Sequence, residues 1–300
     1  MYTRLLIPLD GSTTAEKVLP YARFLARRLR LPLEILEVIE VADVVSHIRR
    51  GRDLKAILEK FDQSRRDYLR RVAGTFVDTA VNCTVIKATP AEAIIDKAAE
   101  DKTTLISMAT HGRSGVKRWL LGSVAEKVLR GGSNPLLLIR ATEEAEGEGE
   151  ANLASIIVPL DGSAVAEQVL PDAAALAKQL HVDLVLFRAY TIPYTALPVD
   201  AGIAYAVADE ELLSSLRDEA TAYLAKKAAE LNQSGLERVS TIAQYGLAAD
   251  EIISMARKTP DNLIAMCTHG RSGVKRWALG SVAETVVRHS GNPVLVVRAS

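Results

Sequence analysis

The chain has 300 residues, room for one large domain or two ordinary ones. Hydrophobic residues are 48% and charged residues 25%, which excludes a wholly disordered chain, and 18 Gly with 11 Pro exclude a collagen-like one. Lys plus Arg equals Asp plus Glu, at 37 each, so no global charge draws the chain to nucleic acid or an anionic membrane. No stretch reaches the ~20 apolar residues of a membrane helix, and the opening Met-Tyr-Thr-Arg-Leu-Leu-Ile-Pro has no secretory apolar core. Cys83 and Cys267 have no metal-ligand spacing around them and suit a reducing compartment, so a cytoplasmic location is expected.

In chain order, Arg4–Leu9 reads as a short buried strand ending before Asp10-Gly11. Thr13–Arg30 has apolar residues at helical spacing, with Thr13-x-x-Glu16 as a capping box. Leu33–Ile39 is a second strand, Asp53–Ala73 an amphipathic helix and Val81–Lys87 a third strand. Ala91–Glu100 is helical, Thr104–Met108 a fourth strand, Ser123–Arg130 a helix with Ser123 at its N-cap, and Leu136–Ile139 a fifth strand. Glu143, Glu144, Glu146, Glu148 and Glu150 then alternate with Ala and Gly, which predicts a solvated acidic linker over 141–153.

After the linker the chain repeats itself. LLIPLDGSTTAEKVLP at 5–20 returns as IIVPLDGSAVAEQVLP at 156–171, and THGRSGVKRWLLGSVAE at 110–126 returns at 268–284 with one change, Leu120 to Ala278. NPLLLIR from Asn134 returns as NPVLVVR from Asn292. Matched positions lie 151 residues apart in the first motif and 158 in the later ones, so the second half holds a short insertion, expected within Tyr190–Ser214. A repeat this long is a duplicated domain, because solenoid units span about 20–50 residues. The expected domains are 1–140 and 154–300. Apolar strands alternating with helices predict, in each, an α/β fold: an open, doubly wound, Rossmann-like parallel sheet with helices on both faces.

Ligands of such sheets bind beyond the carboxyl ends of strands, where the strand order reverses. Pro8-Leu9-Asp10-Gly11-Ser12 follows the first strand, and Ala109-Thr110-His111-Gly112-Arg113-Ser114-Gly115 follows the fourth. If those strands are neighbours, the two loops face one crevice. The second loop runs to Gly122-Ser123 at the start of a helix, whose free N–H groups suit an anion. Arg113, Lys117 and Arg118 lie between and offer positive charge. The pattern is a glycine-lined anion cradle beside a carboxylate, Asp10.

These residues resemble the universal stress protein family, and the resemblance covers both halves. Its nucleotide-binding members carry G-x2-G-x9-G-[ST] after an opening strand-Pro-x-Asp-x-Ser. Here Gly112 and Gly122-Ser123, like Gly270 and Gly280-Ser281, keep the nine-residue spacing, while Ala109 and Cys267 stand where the first glycine would be. The resemblance implies a five-stranded sheet of order 3-2-1-4-5 (the HUP type) in each half, and ATP as ligand, with Mg2+ bridging its phosphates. Pro8, Leu9, Asp10 and Val38 would frame adenine and ribose; Met108, Ala109, His111, Gly112, Arg113, Gly122, Ser123 and Val124 would hold ribose and phosphates. In the second half the corresponding set is Pro159, Leu160, Asp161 and Ala189, with Met266, Cys267, His269, Gly270, Arg271, Gly280, Ser281 and Val282. The second site is expected to be the weaker, because Cys267 adds a sulfur where the backbone passes the ligand.

Simpler readings stand beside these. Asp10 and Asp161 could be turn residues, Ser123 and Ser281 plain helix caps, and Lys117 and Arg118 a solvated face. Trp119 and Trp277 read as packing residues, and Cys267 as a small buried hydrophobe. His111 and His269 lack a partnered nucleophile, and no catalytic residue is assigned. The expected function is a nucleotide-dependent switch in a stress response. The alternatives are a slow ATPase or other nucleotide-processing enzyme, and an interaction module that has lost nucleotide binding. The resemblance also implies that the halves pair as an intramolecular pseudo-dimer through Leu136–Ile139 and Val294–Val297. Further association into a homodimer, and the identity of a regulatory protein partner, stay open.

Overall fold

A computed structural model describes residues 2–40, 54–110, 121–140, 149–192, 210–268 and 279–299. The chain divides into two compact units. The first comprises Met1–Asn152 with Pro293–Arg298, and the second the described residues between Leu153 and Asn292.

The first unit runs β1 (Arg4–Leu9), α1 (Thr13–Glu16), α2 (Leu19–Leu29), β2 (Leu33–Ile39), α3 (Leu54–Ala73), β3 (Val81–Lys87), α4 (Pro90–Ala99), β4 (Thr104–Ala109), α5 (Ser123–Gly131) and β5 (Leu136–Ile139). Its sheet has the order β3-β2-β1-β4-β5, parallel throughout, as expected for the first half. The chain's last strand, β10 (Val294–Val297), belongs to this unit and runs antiparallel to β5, with Leu295 opposite Leu137. Leu5, Leu6 and Ile7 are fully buried, which is why β1 is apolar on both faces.

The helix expected over Thr13–Arg30 is two helices. Pro20 lacks an N–H and sits in the first turn of α2, so the helix restarts at Leu19. The N-cap of α1 is Ser12, whose Oγ accepts the N–H of Ala15 at 3.1 Å, and the Thr13-x-x-Glu16 box is not the cap. Ser123 is likewise not a cap. Gly122 holds that position and Ser123 is the first helical residue.

The second unit runs β6 (Ser155–Pro159), a 3-10 turn (Ala166–Val169), α6 (Leu170–Leu180), β7 (Asp183–Tyr190), α7 (Glu210–Gln233), β8 (Val239–Tyr245), α8 (Ala248–Lys258), β9 (Asn262–Cys267) and α9 (Ser281–His289). Its parallel strands are ordered β9-β6-β7-β8. Most of the expected insertion lies outside the described residues, as do 141–148 of the acidic linker. At the described end of that linker Gly149 and Glu150 are exposed and also reach α2. Glu150 pairs with Arg27 at 2.6 Å, Gly149 O accepts from Arg23, and Ala151 N–H donates to Pro20 O. The basic face of α2 supplies the counter-charge that the sequence pattern left out.

One repeat position carries opposite charges in the two halves. Glu37 on β2 is buried and pairs with Arg65 of α3 at 2.9 Å. Its equivalent, Arg188 on β7, is buried and pairs with Glu219 of α7 at 2.9 Å, with its guanidinium over the Tyr223 ring. Each half satisfies the same requirement, since a charge on a buried strand needs a partner on the covering helix.

Candidate functional site

In the first unit β1 hydrogen-bonds to β2 on one side and β4 on the other, so the chain winds away from β1 in both directions. The loops after β1 and β4 therefore open at the same edge, and a cleft of about 350 Å³ lies there. Pro8, Leu9, Asp10, Val38, Met108, Ala109, Gly122, Ser123 and Val124 all line it. His111, Gly112 and Arg113, with Lys117, Arg118 and Trp119, lie outside the described residues.

Thr110 N–H donates to Ile139 O at 2.9 Å and Gly122 N–H donates to Thr110 O at 2.7 Å, so Thr110 and Gly122 are held together at the cleft. The first turn of α5 follows directly, and Ser123, Val124 and Ala125 line the cleft. The amides of a first helical turn have no partner inside the helix. With Gly122 at the N-cap there is no capping side chain between that turn and a ligand.

Opposite stands Asp10. Its Oδ1 accepts the Ser12 N–H at 3.0 Å and the Ser12 hydroxyl at 2.6 Å. The turn reading of Asp10 therefore holds alongside its place on the cleft wall. Behind it, Tyr68 of α3 has its pKa raised by burial, and further by Glu16, Glu37 and Asp10.

The second unit repeats this construction in a cleft of about 270 Å³. Pro159, Leu160, Asp161, Ala189, Met266, Cys267, Gly280, Ser281 and Val282 line it. His269, Gly270, Arg271 and Trp277 lie outside the described residues. Asp161 Oδ1 accepts from Ser163 N–H at 2.9 Å and its hydroxyl at 2.6 Å, and Gly280 N–H donates to Thr268 O at 2.8 Å. Glu167 accepts from the Tyr223 hydroxyl at 2.8 Å and pairs with Lys227 at 2.9 Å, tying the turn after Asp161 to α7. Burial pushes the Cys267 thiol up to about 12.

Sequence reasoning missed part of each wall. Glu40, Leu36, Pro90, Ile94 and Thr110 also line the first cleft. Phe187, Ala248, Ile252 and Thr268 also line the second. Glu40 directly follows β2 and was findable as a polar residue at a strand's carboxyl end. Pro90 and Ile94 belong to α4, whose packing against β2 and β4 no local pattern encodes. Among the described residues, no group of three or more His, Cys, Asp or Glu is placed to hold a metal, and no helix is long and apolar enough to cross a membrane.

The model of the Universal stress protein family matches residues 1–140 and again 153–298. Universal stress protein MJ0531 of Methanocaldococcus jannaschii is 32% identical over 153 residues, which are 50% of this chain and 85% of that protein. Universal stress protein Rv2005c of Mycobacterium tuberculosis is 22% identical over 310 residues, covering 98% of this chain and 97% of that one. Among solved structures, a universal stress protein from Archaeoglobus fulgidus aligns over 100% of both chains with a TM-score of 0.69 and 21% identity. A Pseudomonas aeruginosa protein described as functionally unknown, PA1789, aligns over 99% of this chain and 93% of its own, with a TM-score of 0.65 and 17% identity. With both repeats matched and the fold shared, this chain belongs to the universal stress protein family, whose pattern it carries twice.

Proposed function

We propose that the protein binds ATP in these clefts and acts as a nucleotide-dependent switch in a stress response, not as a dedicated catalyst. One observation carries the reading: in each unit an Asp after the first strand and a Gly-Ser helix start after the fourth line the same cleft. A carboxylate suits ribose hydroxyls, and an uncapped helix start suits phosphate. The first-turn amides and hydroxyl of Ser123 would take the phosphates, with Arg113 supplying charge. Pro8, Leu9 and Val38 would frame adenine, with Asp10 beside the ribose. In the second cleft Pro159, Leu160, Asp161, Ala189, Gly280 and Ser281 would do the same, with Arg271. Mg2+, where it enters, would arrive on the phosphates.

The switch reading draws on how the cleft carboxylate is used. Asp10 is engaged by Ser12 in a turn, an arrangement for holding a loop rather than for taking a proton from water. Glu40 on the first cleft's wall is the feature on the side of a slow ATPase. Native mass spectrometry of the purified chain, followed by calorimetry with ATP, tests binding. A chain that carries no nucleotide and takes none up overturns it. Product formation that is lost in Glu40→Gln would move the reading to the ATPase.

A further inference from the structure

The walls of the two clefts differ where the second strand of each unit ends. Residues two apart on a strand share a face. Leu36 and Val38 on β2, and Glu40 just beyond it, line the first cleft, while Glu37 turns away to Arg65 of α3. In the second unit Phe187 and Ala189 on β7 line the cleft, and Thr191, which stands where Glu40 does, is not on its wall. Among the described residues the first cleft therefore carries two carboxylates, Asp10 and Glu40, and the second carries one, Asp161.

The two carboxylates of the first cleft are used differently. Asp10 is held in its turn by the N–H and hydroxyl of Ser12. Glu40 is exposed and, among the described residues, forms no hydrogen bond or ion pair. β1 lies between β2 and β4. Neighbouring strands are spaced about 4.8 Å, which sets the carboxyl ends of β2 and β4 about 10 Å apart. Glu40 stands at the β2 end, and the uncapped start of α5 at the β4 end. An anion is favoured at a helix start and repelled by a carboxylate. A carboxylate accepts hydrogen bonds and donates none. The group that meets Glu40 is thus the end of the ligand remote from phosphate, and it carries N–H donors.

We infer that Glu40 reads the base of a nucleotide in the first cleft by accepting a hydrogen bond from its exocyclic amino group. This rests on the nucleotide reading of that cleft and adds a selection that the neighbouring wall does not supply, since Leu36 and Val38 are apolar and pack against any flat ring alike. The second cleft has Phe187 and Ala189 in those places and no acceptor side chain beyond them on its wall, and it binds without that selection. Glu40 is also across the cleft from the phosphate end, away from where a base acting on an attacking water would stand.

The test is calorimetry on the full chain with ATP and with the 5′-triphosphate of purine riboside, which is ATP without its exocyclic amine. Ser281→Asp, which sets a carboxylate against phosphate in the second cleft, leaves the first to be measured. There ATP should bind roughly tenfold more tightly than the analogue, the smaller end of what a hydrogen bond to a charged group gives. Glu40→Ala should bring the ratio of the two affinities close to one. The ratio is blind to a loosened loop or a change in overall charge, because both ligands feel these equally. In Ser123→Asp, where the second cleft is the one measured, Glu40→Ala should leave the ratio as it was; a fall there too would be a global effect and overturns the inference. A ratio near one before the substitution, or a preference that survives Glu40→Ala, overturns it and leaves nucleotide binding standing. If neither triphosphate binds the parent chain, the nucleotide reading falls and takes the inference with it.

Discussion

Asp10 and Ser12 form a closed turn in which one carboxylate oxygen receives both the backbone N–H and the hydroxyl of the same serine, at 3.0 and 2.6 Å. Ser12 in turn caps α1 through the Ala15 N–H. The carboxylate shapes the loop and lines the cleft at once, and two substitutions separate these roles. Asp10→Asn keeps an oxygen acceptor for Ser12 and should fold within about 0.5 kcal/mol of the parent. Asp10→Ala loses both bonds and should cost about 1–2 kcal/mol in urea unfolding. Both should weaken ATP binding. Full affinity in Asp10→Asn would show that the negative charge does nothing for the ligand.

Ser123 and Ser281 begin α5 and α9 and line their clefts without capping them. An acidic residue in a first turn favours a helix by about 0.3–1 kcal/mol, while it repels phosphate. Ser123→Asp should therefore hold or raise the melting temperature and weaken ATP binding at the first site by at least about tenfold. Ser281→Asp should do the same at the second. The pair silences each site in turn within the full chain, and the site left in Ser281→Asp should be the tighter. Equal affinities would mean that the Ala109-to-Cys267 and Val38-to-Ala189 differences do not reach the ligand.

Cys267 is buried on the second cleft's wall, with its thiol pushed up to about 12 by burial and by Asp172 and Asp161, against a smaller opposing effect of a hydrogen bond with the Val169 backbone. In the unfolded chain a thiol ionises near about 8.5. Above that pH the unfolded state loses its proton first, so the contribution of Cys267 is intact below about 8.5 and declines as pH rises toward 12. Cys267→Ala should flatten this alkaline decline in a series of melting curves. A thiol reagent at neutral pH should modify Cys83, which is only partly buried, before Cys267. Fast modification of Cys267 in the folded chain would contradict the burial.

Asp101 is held down to about 2 by the Thr103 hydroxyl, the Thr3 hydroxyl and the Thr103 N–H, with Arg4 adding a favourable charge. A depressed carboxylate stabilises the fold above its unfolded value of about 3.9, and that contribution is lost as pH falls from there toward 2. Asp101→Ala should melt below the parent at pH 7, and the gap should close between about pH 4 and 2. A gap that stays constant through acid would mean that the difference is packing and not charge.

The duplication, the strand and helix alternation and the two loops that meet were legible in the sequence, because apolar runs bounded by Pro and Asp-Gly have one compact solution when both sheet faces are covered. Leu5, Leu6 and Ile7 are buried on alternate faces for that reason. Spacing also carried Gly122-Ser123 and Gly280-Ser281 to the clefts, since the residue that opens a helix after a strand must lie at the strand's carboxyl end. Tertiary structure decided what local pattern does not encode. Ser12 caps α1 where the pattern pointed to Thr13, because the Asp10 turn sets its backbone in an extended conformation. Glu150 reaches α2 because Arg27, far away in sequence, faces it. Glu37 and Arg188 are tolerated in buried strands only because the helices that cover them bring Arg65 and Glu219 within reach. The Tyr190–Tyr245 pair exists only through register: two tyrosines far apart in sequence meet where the ends of β7 and β8 align, and no periodicity along either strand announces it.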